Sequence, residues 1–400
     1  MKNKILIFAL LLSNFLFSQK IKETIETKKL GTRTFTVVTP PSYEESPEKK
    51  YPILLVLDGE NLLFPFEGVL NYGNYWEDLP EMIIVAVDQN YGETRYDDSL
   101  FDLKGLPFEK GASFFEFVGI ELLPMVEQKY RTLPFRIIAG HDTTAGFLNF
   151  YLYKDTPIFN AYISLAPEMA PEMEHRVAER LAKVSKTTFY YQATADGDLK
   201  EINEKAAVLD NNIKALKNTN LKYLNDTFVN STHYSLVTKA IPNALYFIFQ
   251  GYQPISMIEF QNKILKLDSG YTNYLIEKYN YLEKDLGLDI KPRLSDFKAI
   301  EAAILKNKAY EELQPLADYA NKKYPKAILG TYHQALYFEK TGNFKKAVKA
   351  YQKSFALEEV RELTKDYMMS RADALKGKDD KPTEEVPAEN TTDKPIEKTE

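Results

Sequence analysis

The sequence predicts an α/β domain with a mainly parallel sheet, followed by a small all-α helical-repeat domain. From about Leu30 to Tyr252, short apolar runs alternate with amphipathic segments, which is typical of buried strands with helices on both faces of the sheet. From Ser295 the chain consists almost entirely of helix formers and repeats itself with a period of 34 residues. A length of 400 residues also exceeds that of one small module.

Six segments of the first part have the pattern of strands, and most are apolar throughout. They are Arg33–Thr39, Ile53–Leu57, Met82–Val87, Arg136–Ala139, Tyr162–Leu165 and Thr188–Gln192. A weaker strand is predicted at Tyr223–Phe228. The amphipathic segments that predict helices are Ser113–Gln128, Thr143–Tyr153, His175–Lys183, Lys200–Lys217 and Lys239–Phe249. We therefore expect the α/β domain at residues 19–255 and a helical bridge at 256–294.

Residues 295–373 are predicted to form helical repeats. Tyr310 and Phe344 are 34 residues apart, and the small and aromatic positions between Ala335 and Tyr351 resemble a tetratricopeptide repeat. A generic helical hairpin is the alternative. Two repeats are fewer than the roughly three needed to stand alone, so we expect them to pack on another surface or to present a groove to a protein partner.

Both ends of the chain differ from the rest. Residues 1–18 have the pattern of a signal peptide, with Lys2 and Lys4 before an apolar run from Ile5 to Phe17. A membrane-spanning helix needs roughly 20 apolar residues, so we predict an exported, periplasmic or secreted protein that does not span the membrane. Residues 374–400 have almost no apolar residues and predict a disordered acidic tail.

The composition excludes several classes of function. The chain has no cysteine, which excludes disulfides, thiol nucleophiles and cysteine-bound metals. Its four histidines have no ligand-like spacing, so we expect neither a metal nor another cofactor. Lys and Arg total 51 against 57 for Asp and Glu, a net charge of −6 with no basic block, which makes nucleic acid an unsuitable partner.

The most informative motif is Gly140-His141-Asp142-Thr143-Thr144, where a buried strand runs directly into a helix. Such a sharp strand-to-helix turn is the setting of a nucleophile elbow, which raises one side chain above the sheet.

With this motif, residues Leu30–Tyr252 resemble the "putative esterase" group of α/β-hydrolases, which includes enterochelin-esterase-like and S-formylglutathione-hydrolase-like (esterase D) enzymes. The resemblance also rests on the stretches 51–59, 80–88, 121–132 and 232–235. It implies an α/β-hydrolase fold that acts on small carboxylic esters or related acyl ligands without a cofactor. The group's elbow reads Gly-His-Ser-x-Gly-Gly, whereas this chain has Asp142 at the serine and Thr144 and Ala145 at the two glycines.

The remaining site residues are implied by the same resemblance. His233 occupies the position of the catalytic histidine, and Asp196 that of its orienting acid, with Asp198 and Glu201 as alternatives. The oxyanion donors are expected at the backbone N–H groups of Gly59 and Thr143. Because Thr144 is β-branched, it is expected to crowd the turn.

Three interpretations of Asp142 remain open. In the first, the site is degenerate, has lost ester hydrolysis and binds a ligand or nothing. In the second, Asp142 is itself a nucleophile supported by His233 and Asp196. In the third, His233 activates water directly for residual or altered hydrolysis. A neighbouring charged segment, Arg95 with Asp97 and Asp98, is predicted to be a solvated loop.

Overall fold

The computed structural model describes residues 19–378. The predicted signal segment 1–18 and residues 379–400 of the predicted tail lie outside the described residues. The chain divides into two compact units. Among the described residues, unit 1 holds 19–254 together with Tyr279–Ile290, and unit 2 holds Ile255–Lys278 and 291–378. The predicted bridge 256–294 is thus divided between the two units.

Unit 1 is built on an eight-stranded sheet with the order β1-β2-β4-β3-β5-β6-β7-β8. The strands are β1 Lys20–Thr27, β2 Gly31–Val38, β3 Tyr51–Val56, β4 Ile83–Val87, β5 Thr132–His141, β6 Ala161–Leu165, β7 Thr188–Gly197 and β8 Leu221–Thr232. Strands β1 and β2 pair antiparallel, β2 runs antiparallel to β4, and all other pairs are parallel. The predicted mainly parallel sheet is confirmed, and its first two strands form an antiparallel edge.

The apolar runs of the sequence form the centre of this sheet. Strands β3, β4 and β6 are buried at every residue, because helices cover both faces of a parallel sheet. The outer strands β1 and β8 alternate or remain half-exposed. Such strands carry a weaker sequence signal, and β1 is absent from the sequence-based prediction.

The helices of unit 1 follow the strands in alternation. They are α1 Ser42–Glu45, α2 Gly59–Tyr75, α3 Thr94–Asp98, α4 Glu109–Glu116, α5 Leu123–Lys129, α6 Thr143–Phe147, α7 Met173–Leu181, α8 Lys200–Lys214 and α9 Ser235–Ile248. A π-helical segment, Phe117–Leu122, joins α4 to α5, and a 3₁₀ segment, Leu148–Tyr153, continues α6. The predicted helix Ser113–Gln128 is therefore one irregular helical stretch.

Unit 2 is helical. Its helices are α10 Met257–Asn262, the first part of α11 Tyr271–Leu286, α12 Leu294–Asn307, α13 Leu313–Lys323, α14 Ile328–Lys340, α15 Phe344–Lys353 and α16 Lys365–Leu375. Helices α13 and α14 approach closely at Gly330, where a Cβ atom would lie 2.1 Å from Asn321 Oδ1. The buried His333 lies 3.2 Å from the carboxylate of Glu301. The α/β-hydrolase fold followed by a helical region is confirmed.

The topology gathers the polar residues at one edge of the sheet. Asp58 follows β3, Gln89 follows β4, Asp142 follows β5, Asp198 follows β7 and His233 follows β8. The carboxyl ends of parallel strands meet at the same edge, where open α/β sheets bind their ligands. Among residues 19–378, we find no helix with the length and apolar character needed to cross a membrane.

Candidate active site

The turn between β5 and α6 holds Asp142 in a strained backbone conformation, with φ 61° and ψ −120°. A residue other than glycine keeps such angles only where its surroundings enforce them. The N–H of Asp142 donates to the carbonyl of Leu165 at 2.9 Å, and its carbonyl accepts from the N–H groups of Gly146 and Glu168 at 3.0 and 3.1 Å. These bonds fix the turn and present the carboxylate above the sheet, as a nucleophile elbow does.

Two glycines allow the turn to be this tight. A Cβ atom on Gly140 would lie 2.7 Å from the backbone carbon of Thr144, and one on Gly146 would lie 1.8 Å from the carbonyl oxygen of Glu168. Any side chain at either position would displace backbone atoms. The motif therefore needs glycine two residues before Asp142 and four residues after it.

Thr144 is accommodated in the turn rather than distorting it. Its side chain is buried, and its hydroxyl oxygen accepts from the N–H of His141 at 3.0 Å. The same hydroxyl lies 2.6 Å from Oδ2 of Asp58. The expectation of crowding fails because the hydroxyl links the elbow to the end of β3, a role that glycine could not perform.

His233 and Asp198 form a complete acid–histidine pair beside Asp142. Nδ1 of His233 lies 2.7 Å from Oδ1 of Asp198, whose side chain is fully buried. Nε2 of His233 lies 3.8 Å from Oδ1 of Asp142. The chain order of Asp142, Asp198 and His233 is that of an α/β-hydrolase triad.

The structure corrects the preferred acid, since Asp196 does not contact His233. Its carboxylate instead accepts from the backbone N–H groups of Asn230 and Ser231 at 2.7 and 2.9 Å. These N–H groups lower the pKa of Asp196 because they stabilise its charged form. The pairing of β7 with β8 shifts register between Ala195 and Gly197, so that Asp198, not Asp196, turns inward.

The other predicted positions lie away from the histidine or contribute differently. Glu201 is exposed and pairs with Lys205 at 3.0 Å. Gly59 begins α2 and packs against β4, where a Cβ atom would lie 2.8 Å from the carbonyl oxygen of Val87. The hydroxyl of Thr143 accepts from Arg95 at 3.1 Å. Within the described part of the chain, neither Gly59 nor Thr143 lines the cavity at the elbow.

Arg95 is the site residue that sequence reasoning missed. Its Nε and Nη2 atoms donate to the two carboxylate oxygens of Asp58 at 2.6 and 3.2 Å, and Nη1 lies 3.4 Å from Oδ2 of Asp142. Nη2 also donates to the carbonyl of His141 at 2.9 Å. The segment predicted as a solvated loop is helix α3, and its arginine connects β3 to the elbow. In the sequence, a lone arginine close to two aspartates does not distinguish an arginine that contacts the elbow from one on the protein surface.

The far end of α3 is anchored by a buried ion pair. Arg33 on β2 binds both carboxylate oxygens of Asp98, at 3.0 and 2.5 Å, and Gln89 donates to the same carboxylate at 2.9 Å. Burial raises the pKa of Asp98 to about 6 despite the opposing effects of Arg33 and Gln89. Gln89 also accepts from the N–H of Asp58 at 3.1 Å, so the anchor reaches the site.

His141 contacts the backbone and the ring of His233. Its Nε2 lies 2.9 Å from the carbonyl oxygen of His233, and the two ring centroids are 4.4 Å apart. Burial lowers the pKa of His141, and the neighbouring His233 lowers it further. His141 therefore acts as a neutral donor that holds the backbone of the catalytic-position histidine.

A cavity of about 480 Å³ opens above these residues. Its lining comprises Asp58, Asn61, Leu62, Pro65, Asn90, Arg95, His141, Asp142, Tyr234, Val237 and Thr238. A more apolar groove of about 650 Å³ beside the π-helical segment shares none of these residues. Within residues 19–378, no cluster of three or more His, Asp or Glu side chains is arranged to hold a metal ion.

Comparison with known proteins agrees with this architecture. Residues 28–205 match the model of a family described as "Putative esterase". The fold of unit 1 is that of an esterase-like hydrolase. A search of curated proteins finds no match.

Solved structures extend the comparison. An uncharacterised protein from Capnocytophaga ochracea DSM 7271 is 29% identical, with a TM-score of 0.82 over 89% of this chain and 99% of that chain. An IroE-like serine hydrolase from Shewanella oneidensis is 19% identical, with a TM-score of 0.57 over 76% of this chain and 99% of that chain. The BES protein from Bacillus cereus is 19% identical, with a TM-score of 0.50 over 58% of this chain and 95% of that chain. The last two similarities concern the fold of the esterase-like hydrolase alone.

Proposed function

We propose that this esterase-like protein binds a small ligand at the elbow and does not hydrolyse esters through an acyl-enzyme. The observation that carries the proposal is the carboxylate of Asp142 at the strained turn, 3.4 Å from the guanidinium of Arg95. A serine at this position would attack an ester carbonyl to give an ester intermediate. A carboxylate attacking the same carbonyl would give an anhydride, which is a much less favourable intermediate.

The contacts of Asp142 support a binding role. Oδ2 of Asp142 lies near both Arg95 and the hydroxyl of Thr143, at 3.4 and 3.3 Å. A carboxylate engaged by a cation and a hydroxyl is a weaker nucleophile than a free one. The cavity above it is nevertheless open and lined by both polar and apolar side chains, so the site retains room for a ligand.

A second function is favoured by the intact pair of His233 and Asp198. In this alternative, an oxygen of Asp142 displaces a leaving group at a saturated carbon and forms an ester. His233, held by Asp198 at 2.7 Å, then removes a proton from water, and the resulting hydroxide attacks the ester carbonyl. Cleavage of the acyl–oxygen bond releases the alcohol and regenerates the carboxylate of Asp142.

Hydrolysis of p-nitrophenyl acetate and butyrate tests the proposal. We expect the purified protein and its His233→Ala variant to hydrolyse both esters at the same background rate. His175→Ala is the matched control, because His175 lies on α7 and does not line the cavity. Turnover that is lost in His233→Ala but kept in His175→Ala would refute the proposal and indicate a working hydrolase.

Isotope labelling tests the alternative. Turnover of haloalkanes or epoxides in ¹⁸O-water would place label in the carboxylate of Asp142, because water attacks the carbonyl of the ester intermediate. A peptide containing Asp142 that gains 2 Da under these conditions would establish the nucleophile. Absence of both turnover and label would leave ligand binding as the function.

We also propose that the protein is exported and that its helices bind a protein partner. The first proposal rests on the pattern of residues 1–18, and N-terminal sequencing from the cell envelope or medium tests it by a start at Gln19. The second rests on the tetratricopeptide-like spacing and the close contact of α13 and α14 at Gly330. A photo-crosslinker at Ala302, which lines a groove of unit 2 of about 250 Å³, should then trap one partner that a crosslinker at the exposed Lys349 does not.

A further inference from the structure

We propose that the cavity above the elbow takes an organic cation, with its ammonium group on the carboxylate of Asp142. This inference rests on the proposed ligand-binding function and names the chemical class of the ligand. It is carried by the hydrogen-bonding capacity that the site leaves unused.

Arg95 has no donor left for an anionic ligand. A guanidinium has five N–H groups. One from Nε and one from Nη2 go to Asp58, one from Nη2 goes to the carbonyl of His141, and the two from Nη1 go to Asp142 and Thr143. Although Arg95 lines the cavity, all of its donors bind groups within the protein. A carboxylate or phosphate ligand would have to break one of these hydrogen bonds.

Asp142 presents an acceptor instead. Its Oδ2 is engaged by Arg95 and by the hydroxyl of Thr143, at 3.4 and 3.3 Å. Its Oδ1 faces Nε2 of His233 at 3.8 Å, which is beyond hydrogen-bond distance. An ammonium group, which has three donors and a positive charge, satisfies this oxygen.

The charges of the site favour the same ligand. Of the residues that the structure describes, two carboxylates, Asp58 and Asp142, line the cavity, and Arg95 is the one guanidinium that lines it with them. The side chain of Asp142 is 28% exposed, so a ligand can reach it. The remaining polar groups of the lining can both donate and accept, and so do not select for charge; they are Asn61, Asn90, Tyr234 and Thr238.

The apolar part of the lining indicates the rest of the ligand. Leu62, Pro65 and Val237 line the cavity, and the exposed ring of Tyr234 stands at its edge. An aromatic ring attracts a cation over its face, and apolar side chains bind a compact hydrocarbon group. A primary ammonium on a small hydrocarbon therefore fits a volume of about 480 Å³.

Calorimetry at pH 7 with three probes of similar shape tests the inference on the purified full chain. We expect benzylammonium to bind at least about tenfold more tightly than benzyl alcohol, because a charged hydrogen bond replaces a neutral one, and benzoate to bind most weakly. Asp142→Asn should weaken benzylammonium binding at least about tenfold while leaving the shape of the site. Asp155→Asn, which removes a fully exposed carboxylate outside the cavity, should not change it.

Salt dependence provides a measurement that needs no variant. Raising the NaCl concentration should weaken benzylammonium binding and leave benzyl alcohol binding unchanged, since salt screens charge. Equal or tighter binding of benzyl alcohol or benzoate would overturn the inference but leave the ligand-binding function standing. Absence of benzylammonium binding would also overturn it, as would undiminished binding to a folded Asp142→Asn variant. Ester turnover that depends on His233 would instead refute the proposed function. In that case, competitive inhibition of the turnover by the same three probes would still show which ligand charge the cavity prefers.

Discussion

Replacement of Asp142 by glycine and by alanine measures the strain stored at the elbow. Both changes remove the carboxylate and its contacts to Arg95 and His233, so their difference isolates the backbone. At φ 61° and ψ −120°, a residue with a Cβ atom is strained by about 1–3 kcal/mol, whereas glycine adopts these angles freely. Glycine loses about 0.5–1 kcal/mol relative to alanine through the entropy of the unfolded chain. We therefore expect Asp142→Gly to be more stable than Asp142→Ala by about 0–2.5 kcal/mol.

Urea unfolding followed by tryptophan fluorescence provides the assay. The single tryptophan, Trp76, directly follows α2 in unit 1, so its emission reports on the unit that contains the elbow. The matched control is Thr143, the first residue of α6, where alanine should be more stable than glycine by about 0.5–1 kcal/mol.

The sign of the difference decides the outcome. If alanine proves more stable than glycine at position 142 by as much as at Thr143, the backbone there is not strained, and the argument for an over-determined elbow is wrong. Asp142→Ala itself should cost no more than about 1 kcal/mol, because the partly exposed ion pair to Arg95 is long.

Three further predictions concern the supports of the site. Gly146→Ala should destabilise unit 1 by about 1–3 kcal/mol or more, because its Cβ would meet the carbonyl oxygen of Glu168 at 1.8 Å. Gly68→Ala, in the open middle of α2, should stabilise it by about 0.5–1 kcal/mol in the same urea titration. The pKa of Asp98 is about 6 in the folded protein, against an ordinary value of 3.8, so the folded state binds the proton more tightly than the unfolded state. The contribution of Asp98 to the free energy of unfolding should therefore fall by about 3 kcal/mol as the pH rises from 3.8 to about 6. Asp98→Asn should remove this slope, and an unchanged slope would contradict the raised pKa. Finally, ¹H NMR should show a downfield signal from the Nδ1 proton of His233. Asp198→Asn should shift or abolish this signal and Asp196→Asn should preserve it, because Asp198 alone of the two contacts that nitrogen. The reverse pattern would restore Asp196 as the orienting acid.

The fold could be predicted because its strongest signals are local. The apolar runs of β3, β4 and β6 have no polar face, and only a sheet covered on both sides buries them. The elbow could be predicted for a similar reason, because Gly140 and the strand residues before it are close to Asp142 in the sequence. Edge strand β1 was missed because its residues alternate between exposed and half-exposed positions, and a segment without buried residues resembles an exposed loop.

The choice among acids could not be made from the chain alone. Asp196 and Asp198 are two residues apart, and in a regular strand both would point to the same side. The register shift between Ala195 and Gly197 separates them, and that shift depends on the pairing of β7 with β8.

By itself, the sequence determined the central buried strands and the helices that alternate with them from β5 onward, the position of the elbow and the presence of a carboxylate at its tip, because each depends on neighbours along the chain. Tertiary structure alone decided which aspartate holds His233 and what surrounds Asp142. Arg95 reaches the elbow from α3, 47 positions earlier in the chain, and Asp58 reaches it from β3. Such long-range contacts are set by how the sheet aligns its carboxyl ends, and no local pattern of residue types encodes that alignment.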